Sequence, residues 1–346
     1  MIFFLIYPYF CIFIVFMPEK CFPYKILAAD EIKSSMNELG GSALPFLFII
    51  NYAADAGFVV KNEELDDRFV RFFFHHFPSD KRVIPDFLWQ TYPVSKASYG
   101  EKFNHVKNQI HLGNSFLINL TQPTRISTNL SLEEIYNIAS APYKLWLKDR
   151  FLVLSPETFI QIHKGEIKTF PMKGTIDATL PDAERKILQD EKEMAEHATI
   201  VDLLRNDLSM VAENVRVTRY RYVERINTIQ KDLLQVSSEI TGRLPENYHD
   251  QLGDILFKLL PAGSICGAPK AKTLEIIRQA EDYDRGFYTG VCGYFDGENL
   301  DSAVMIRFME QTDNGLVYKS GGGITFQSEL DKEYEELIQK VYVPVS

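Results

Sequence analysis

The sequence predicts an α+β protein built on antiparallel strands, and three observations carry that prediction. Strand patterns arrive as hairpins and meanders, helical patterns fall between groups of strands, and no run alternates single strands with single helices as a doubly wound parallel sheet requires.

Taken in order, Leu44 to Val60 reads as strand with Gly57 at a turn, and Ser98 to Leu112 has the apolar spacing of an amphipathic helix that stops near Gly113. Apolar Phe116 to Leu120 follows. Thr158 to His163 and Glu166 to Phe170 form a hairpin across Lys164-Gly165, with Lys173 just past its end. Pro181 to Val211 is a long helical pattern opened by Pro181 and Asp182, and its buried stripe is Ile200, Val201, Leu203 and Leu204. Another helix begins after Ala268-Pro269. Phe287 to Phe295, Asp301 to Glu310 and Leu316 to Ser320, joined at Asp296–Asn299 and Asp313-Asn314-Gly315, read as an antiparallel meander. Gly321-Gly322-Gly323 then precedes a helix from about Ser328 to Val341.

At 346 residues the chain amounts to about two domain-equivalents of roughly 150 residues each. Its 46% hydrophobic and 24% charged residues describe a folded globular body and exclude disorder as its main character. With 37 basic against 47 acidic residues the net charge is −10, so no basic field is offered to a phosphate backbone and nucleic acid is excluded as a partner. Cys11, Cys21, Cys266 and Cys292 show neither close pairing nor metal-ligand spacing, which points to free thiols in a reducing, cytoplasmic setting. His75 and His76 are adjacent and no His-Glu-x-x-His occurs, so no zinc site is expected.

Met1 to Met17 is uncharged and rich in Phe and Ile. Three readings compete: an over-long start with Met17 or Met36 as the initiator, a short anchor, and a signal peptide. The lack of a preceding positive charge and the interruption by Pro8 favour the first, and a membrane partner is not expected. No linker or repeat divides the remainder. The expected organisation is therefore a leader or mis-assigned start over 1–36 and one catalytic body over 37–346.

Four features could do chemistry. The triple glycine at 321–323 lets backbone N–H groups approach an anion, although a flexible strand end has the same sequence. Glu333 and Glu336 share one face of the last helix, and Glu196 sits just before the apolar run of the long one. Facing each other, they would supply hard oxygen ligands for magnesium; apart, they are a solvated acidic face. Lys173, in Pro171-Met172-Lys173-Gly174-Thr175, is either a nucleophilic amine or a surface charge. Arg307, inside an otherwise apolar strand, needs an internal carboxylate or an anionic ligand.

In this order the segments resemble the chorismate-utilising enzymes: anthranilate synthase component I, aminodeoxychorismate synthase component I, and the isochorismate and salicylate synthases. The resemblance covers roughly residues 100 to 343. It rests on Ser155-Pro156-Glu157, the Lys173 motif, Glu196 with Ile200 to Leu208, Pro261 to Lys270, Arg285-Gly286 with Tyr288, Gly290 and Gly293, Arg307, the triple glycine, and Glu333 with Glu336.

The resemblance implies two antiparallel β-sheets packed together and flanked by helices, with the site between them. By the same resemblance, Glu196 and Glu336 hold Mg2+ on the ring carboxylate of chorismate and Glu333 supports through water. Arg307, Tyr288 and the Gly322 and Gly323 amides, with Gly321 beside them, grip the enolpyruvyl carboxylate, and Ser264 contacts the ring carboxylate.

Two positions choose the branch. Family members that add water at ring carbon 2 carry a lysine base where this chain has Leu117, and leucine cannot take a proton. At the third position of Pro-x-x-Gly-Thr, Lys173 resembles aminodeoxychorismate synthase rather than anthranilate synthase, whose motif has alanine there. The implied activity converts chorismate and ammonia to 4-amino-4-deoxychorismate through a covalent Lys173 adduct, with Glu157 as general acid, in 4-aminobenzoate and folate biosynthesis. A glutamine amidotransferase subunit would supply the ammonia. Gln235 stands where the family has a histidine, which leans away from pyruvate elimination and anthranilate. Anthranilate synthase component I and a non-catalytic chorismate-binding protein are the alternatives.

Overall fold

The computed structural model describes residues 22–74, 86–226 and 232–345; Met1 to Met17, Cys11, Cys21 and the His75-His76 pair lie outside them. Among the described residues the strands form two sheets, and every recorded strand pair is antiparallel. The first runs in spatial order through Leu27–Ala28, Ala56–Lys61, Phe46–Ile50, Val291–Phe295, Leu300–Val304, Thr158–His163, Glu166–Thr169, Leu233–Arg243 and Met172–Asp177. Glu213–Ile226 also pairs with Leu233–Arg243. The second runs through Gly267–Ala268, Leu117–Thr128, Gly315–Thr325, Phe308–Thr312, Phe151–Ser155, Tyr143–Leu147 and Val70–Phe74, with Trp89–Tyr92 beside Leu117–Thr128.

Strand alternation decides what each face meets. Leu47, Ile49 and Phe58 of the first sheet pack against Leu145, Phe151, Val153 and Phe308 of the second, all buried, so the sheets share one apolar layer. Truncating a side chain such as Phe151 there would cost roughly 3–5 kcal/mol. On the outer side of the second sheet, Ile118, Leu120 and Ile324 pack against helices Lys96–His111, Lys270–Ala280 and Leu330–Gln339. The first sheet is covered by helices that include Glu191–Ser209 and Leu252–Leu259. Helix Ala29–Gly41 contributes wholly buried Ile32 and Met36 to that core, so packed structure lies on both sides of position 36.

Several local expectations change. Leu44 to Val60 is two strands, because Asn51 caps the turn between them: its Oδ1 accepts from the N–H groups of Asp55 and Ala56 at 3.1 Å. Gly57 lies inside the second strand, where a Cβ would come within 2.2 Å of the Ile49 carbonyl. The helical pattern of 181–211 breaks at Asp190 into Ala183–Gln189 and Glu191–Ser209, and the Asp190 carboxylate accepts from Glu193 N–H at 3.0 Å to start the second.

The C-terminal meander divides between the sheets. Leu300–Val304 pairs with Val291–Phe295 in the first, whereas Phe308–Thr312 pairs with Gly315–Thr325 in the second. Met305 to Arg307 is the crossover. Arg307 is therefore not inside a strand but at the crossing, with φ +52°.

Candidate active site

The crossover opens a cavity of about 250 Å³ at the junction of the sheets. Lys173, Glu157, Ser264, Tyr288, Arg307, Gly321, Gly322, Gly323 and Glu336 all line it. Glu196 and Glu333 stand behind this lining rather than in it.

Lys173 reaches the cavity through a β-bulge. Met172 pairs with Ser237 and Thr175 with Gln235, so one extra residue is accommodated between them, and Gly174 takes φ +81° to allow it. The bulge sends the Lys173 side chain across to the other sheet, where Nζ lies 3.5 Å from the place a Cβ would occupy on Gly323. Among the described residues the amine makes no hydrogen bond or ion pair, and it faces the carboxyl groups of Glu157, Glu193 and Glu336.

Glu157 follows the strand Phe151–Ser155, and Ser155 Oγ accepts its N–H at 3.0 Å. Its carboxylate accepts a hydrogen bond from Ser264 Oγ. Burial pushes the Glu157 carboxyl above its ordinary range, against the opposing pull of Ser264, Lys173 and Lys340. A carboxyl that keeps its proton at higher pH, beside an unpaired amine, is suited to general acid work.

The triple glycine is not a loop after a strand but part of the strand Gly315–Thr325. Its neighbour Phe308–Thr312 ends opposite Lys319 and Gly315, so from Gly321 onward only Leu117–Thr128 pairs with it. The Gly321 carbonyl accepts from Lys340 Nζ at 2.8 Å, and the Thr121 N–H and Asn119 carbonyl bond Glu281 and Arg285 rather than the glycine strand. Antiparallel alternation then makes Gly322 the ladder-bonded partner of Leu120 and turns the Gly321 and Gly323 N–H groups outward. The outward amides are thus those of Gly321 and Gly323, one residue out of step with the expected Gly322 and Gly323.

Arg307 donates to the Lys340 carbonyl at 3.3 Å and stacks its guanidinium on Tyr342 at 4.6 Å. Among the described residues no carboxylate pairs with it. Lys319 and Lys340, which sequence reasoning missed, also line the cavity; Lys319 pairs with Glu310 at 2.7 Å and Lys340 with Glu336 at 2.6 Å. The signal for Lys340 was available, since it lies one turn beyond Glu336 and binds its carboxylate at 2.6 Å.

The acidic cluster stands at the cavity's edge. Burial would raise the Glu336 carboxyl, but Lys340, aided by Lys173 and Lys192, offsets this and holds it below the ordinary range. Glu333 is pushed up by burial and by Glu336 and Glu196. Lys192 Nζ lies 3.7 Å from Glu196 and 3.8 Å from Glu333, a cation between the two helices. Glu193, one turn before Glu196, joins the cluster and was also missed. Glu196 Oε1 is buried with no hydrogen-bond partner. Among the described residues no three such side chains converge tightly enough to hold an ion by themselves. The set still fits magnesium, which takes one or two carboxylates and keeps water on its other positions.

Other motif residues are structural. Arg285, 2% exposed, binds Glu281 in a buried pair at 2.7 Å and donates to the carbonyls of Ile265 and Asn119. Asp207 pairs with Lys270 at 2.9 Å, tying helix Glu191–Ser209 to the segment that carries Ser264. Leu117 is buried, its Cδ1 2.9 Å from the Cβ position of Gly323, so apolar bulk fills the place of a hydration base. Gln235 contacts Met172 Sδ and Ser237 Oγ and does not line the cavity.

The family model for chorismate binding enzymes matches residues 60–346. The chain belongs to the chorismate-binding enzyme family. An uncharacterised PabA-like protein of Pasteurella multocida is 50% identical over 320 residues, covering 89% of this chain and 97% of its own. Aminodeoxychorismate synthase component 1 of Klebsiella aerogenes is 36% identical over 265 residues, covering 72% of this chain but 57% of its own, so this chain spans little more than half of that relative. The crystal structure of anthranilate synthase component I from Streptococcus pneumoniae superposes with a TM-score of 0.64 at 22% identity, covering 93% of this chain and 80% of that one. At that identity the likeness establishes the fold: two antiparallel sheets with flanking helices, as the sequence implied. No helix among the described residues is long and apolar enough to cross a membrane.

Proposed function

We propose that the protein is an aminodeoxychorismate synthase component I, which replaces the 4-hydroxyl of chorismate with an amine and leaves the enolpyruvyl group in place. The observation that carries this reading is the bulge-delivered Lys173, unpaired at Gly323, in a cavity whose hydration-base position is filled by Leu117. An amine is available there for covalent work, and no side chain at position 117 can activate water.

Arg307, which has no carboxylate partner among the described residues, suits an anionic group of the substrate. Arg307 and the outward N–H groups of Gly321 and Gly323 would hold the enolpyruvyl carboxylate, with Tyr288 packed beside them, while Ser264 would touch the ring carboxylate. Lys173 Nζ, as the free amine, attacks ring carbon 2 as both ring double bonds shift, from carbons 1–2 to 1–6 and from carbons 5–6 to 4–5, and the bond from carbon 4 to oxygen breaks. Glu157 protonates the departing hydroxyl, which leaves as water. Ammonia then attacks carbon 4, both double bonds shift back, and the bond from carbon 2 to Nζ breaks to free the lysine as the neutral amine. Magnesium, held by Glu196 and Glu336 with Glu333 and Glu193 assisting through water, would neutralise the ring carboxylate when bound.

Component 1 in the name of the Klebsiella relative supports a two-component arrangement, and a glutamine amidotransferase subunit is the proposed source of ammonia. Free, buried Cys266 and Cys292 support the cytoplasm as the compartment, and 4-aminobenzoate and folate biosynthesis is the proposed setting for the product. The test is a product assay with chorismate, magnesium and ammonium. Formation of 4-amino-4-deoxychorismate is expected; anthranilate with released pyruvate, isochorismate, or binding without turnover would each overturn the reading.

A further inference from the structure

Leu117–Thr128 turns Leu117 toward the core between sheet and helix and Ile118 and Leu120 toward the outer helices, so Asn119 shares the inward side with Leu117. Its main-chain carbonyl is taken by Arg285 Nη2 at 2.7 Å. Its side-chain oxygen, Oδ1, is buried and has no hydrogen-bond partner among the described residues, and Asn119 lines the cavity. A buried acceptor left unmet is costly, and such a group in a native fold calls for a donor from outside the chain.

The register says where that donor must be. Asn119 stands opposite Gly323, and because neither directs its peptide groups at the other, they form the close, non-hydrogen-bonded kind of pair, with Cα atoms about 4.5 Å apart. Gly323 has no side chain, and Leu117 Cδ1 occupies part of the space it leaves, 2.9 Å from the Cβ position. Lys173 Nζ enters that same space, 3.5 Å from the Cβ position of Gly323. Asn119 therefore faces the reacting end of whatever the lysine attacks.

The proposed substrate brings few donors. Both carboxylates, ionised, only accept, and the hydroxyl on ring carbon 4 is its one O–H. The product carries an amine on the same carbon. We propose that the Asn119 carboxamide oxygen accepts the hydrogen bond of the substituent on ring carbon 4, hydroxyl in the substrate and amine in the product, and so selects ligands bearing a donor there and orients that carbon toward incoming ammonia. This assignment rests on the proposed function.

The test is a comparison of two ligands: chorismate and its analogue with hydrogen in place of the 4-hydroxyl. Binding is measured calorimetrically with the full chain carrying Lys173→Ala, so that no covalent step intrudes. The Asn119 parent should bind chorismate roughly tenfold to hundredfold more tightly than the analogue. Asn119→Val should bring that ratio to about one, and Asn119→Ala makes the same comparison should the valine variant not fold. Asn119→Asp, which keeps an acceptor oxygen, should retain the preference even though its added charge weakens both ligands. An unchanged ratio in the valine or alanine variant, or equal weakening of both ligands, would overturn the assignment of Asn119 alone. Failure of the parent to bind chorismate at all would overturn it together with the functional reading.

Discussion

Two sets of polar groups meet where the sheets join, and the fold treats them in opposite ways. Around Arg285 the charges are paired: the guanidinium satisfies Glu281, two carbonyls and Thr289 Oγ1, and Glu281 in turn accepts from Thr121. On the cavity side, among the described residues, the Lys173 amine makes no hydrogen bond, Arg307 has no carboxylate, and the buried oxygen Asn119 Oδ1 lacks a donor. Both sets belong to family motifs. The completed one is scaffold, whereas the incomplete one lines the cavity, where a ligand can supply the missing partners.

That contrast can be broken by substitution. The largest effect is expected for Lys173→Ala, which should abolish 4-amino-4-deoxychorismate formation, a loss beyond the roughly 10²–10⁴-fold typical of one acid–base group, while thermal unfolding stays at the parent temperature. Next, Arg285→Met should lower stability by roughly 3–5 kcal/mol in denaturant titration, since Glu281 is left charged and unpaired. Replacing both by apolar residues should recover much of that loss, which a purely catalytic role for Arg285 would not produce.

Gly323→Ala lies between the two. Its methyl would meet Leu117 Cδ1 at 2.9 Å and Lys173 Nζ at 3.5 Å, so the amine must shift while the strand is kept. Steady-state kinetics should show kcat reduced by about 10²-fold with little change in unfolding temperature. The smallest effect concerns His197, wholly buried with Nε2 2.7 Å from Ser238 Oγ. Burial, with the nearby charges of Arg221 and Lys173, brings its pKa from 6.5 down to about 4. Between those values the unfolded chain binds the proton and the folded one does not, so this contribution to stability is complete above pH 6.5 and lost as pH falls toward 4. Melting temperature followed across that window should decline, and His197→Gln should flatten the decline.

Much of this was legible in the sequence because motif spacing and strand alternation are local. The hairpin Thr158–His163 with Glu166–Thr169 and the helices around positions 100 and 275 stand as read. What was lost depends on non-local partners. A strand that changes sheets at Met305 to Arg307 has the same apolar pattern as one that does not, because the residues on either side of the crossing, Ala303 to Met305 and Phe308 with Met309, are all buried. The outward amides of Gly321 and Gly323 follow from pairing with Thr121 and Asn119, far upstream in the sequence, and no run of three glycines specifies that phase. Asn119 had only its alternation with Leu117 to mark it, and the missing donor becomes visible once the neighbouring chain is in place.

The most direct test of the central claim is intact-protein mass spectrometry after mixing with chorismate and magnesium while ammonia is withheld. A species heavier by chorismate less one water, mapped to Lys173 by peptide analysis and absent from Lys173→Ala, is the expected result. Turnover to 4-amino-4-deoxychorismate by a protein that never carries that mass, or an adduct mapped to another residue, would contradict it.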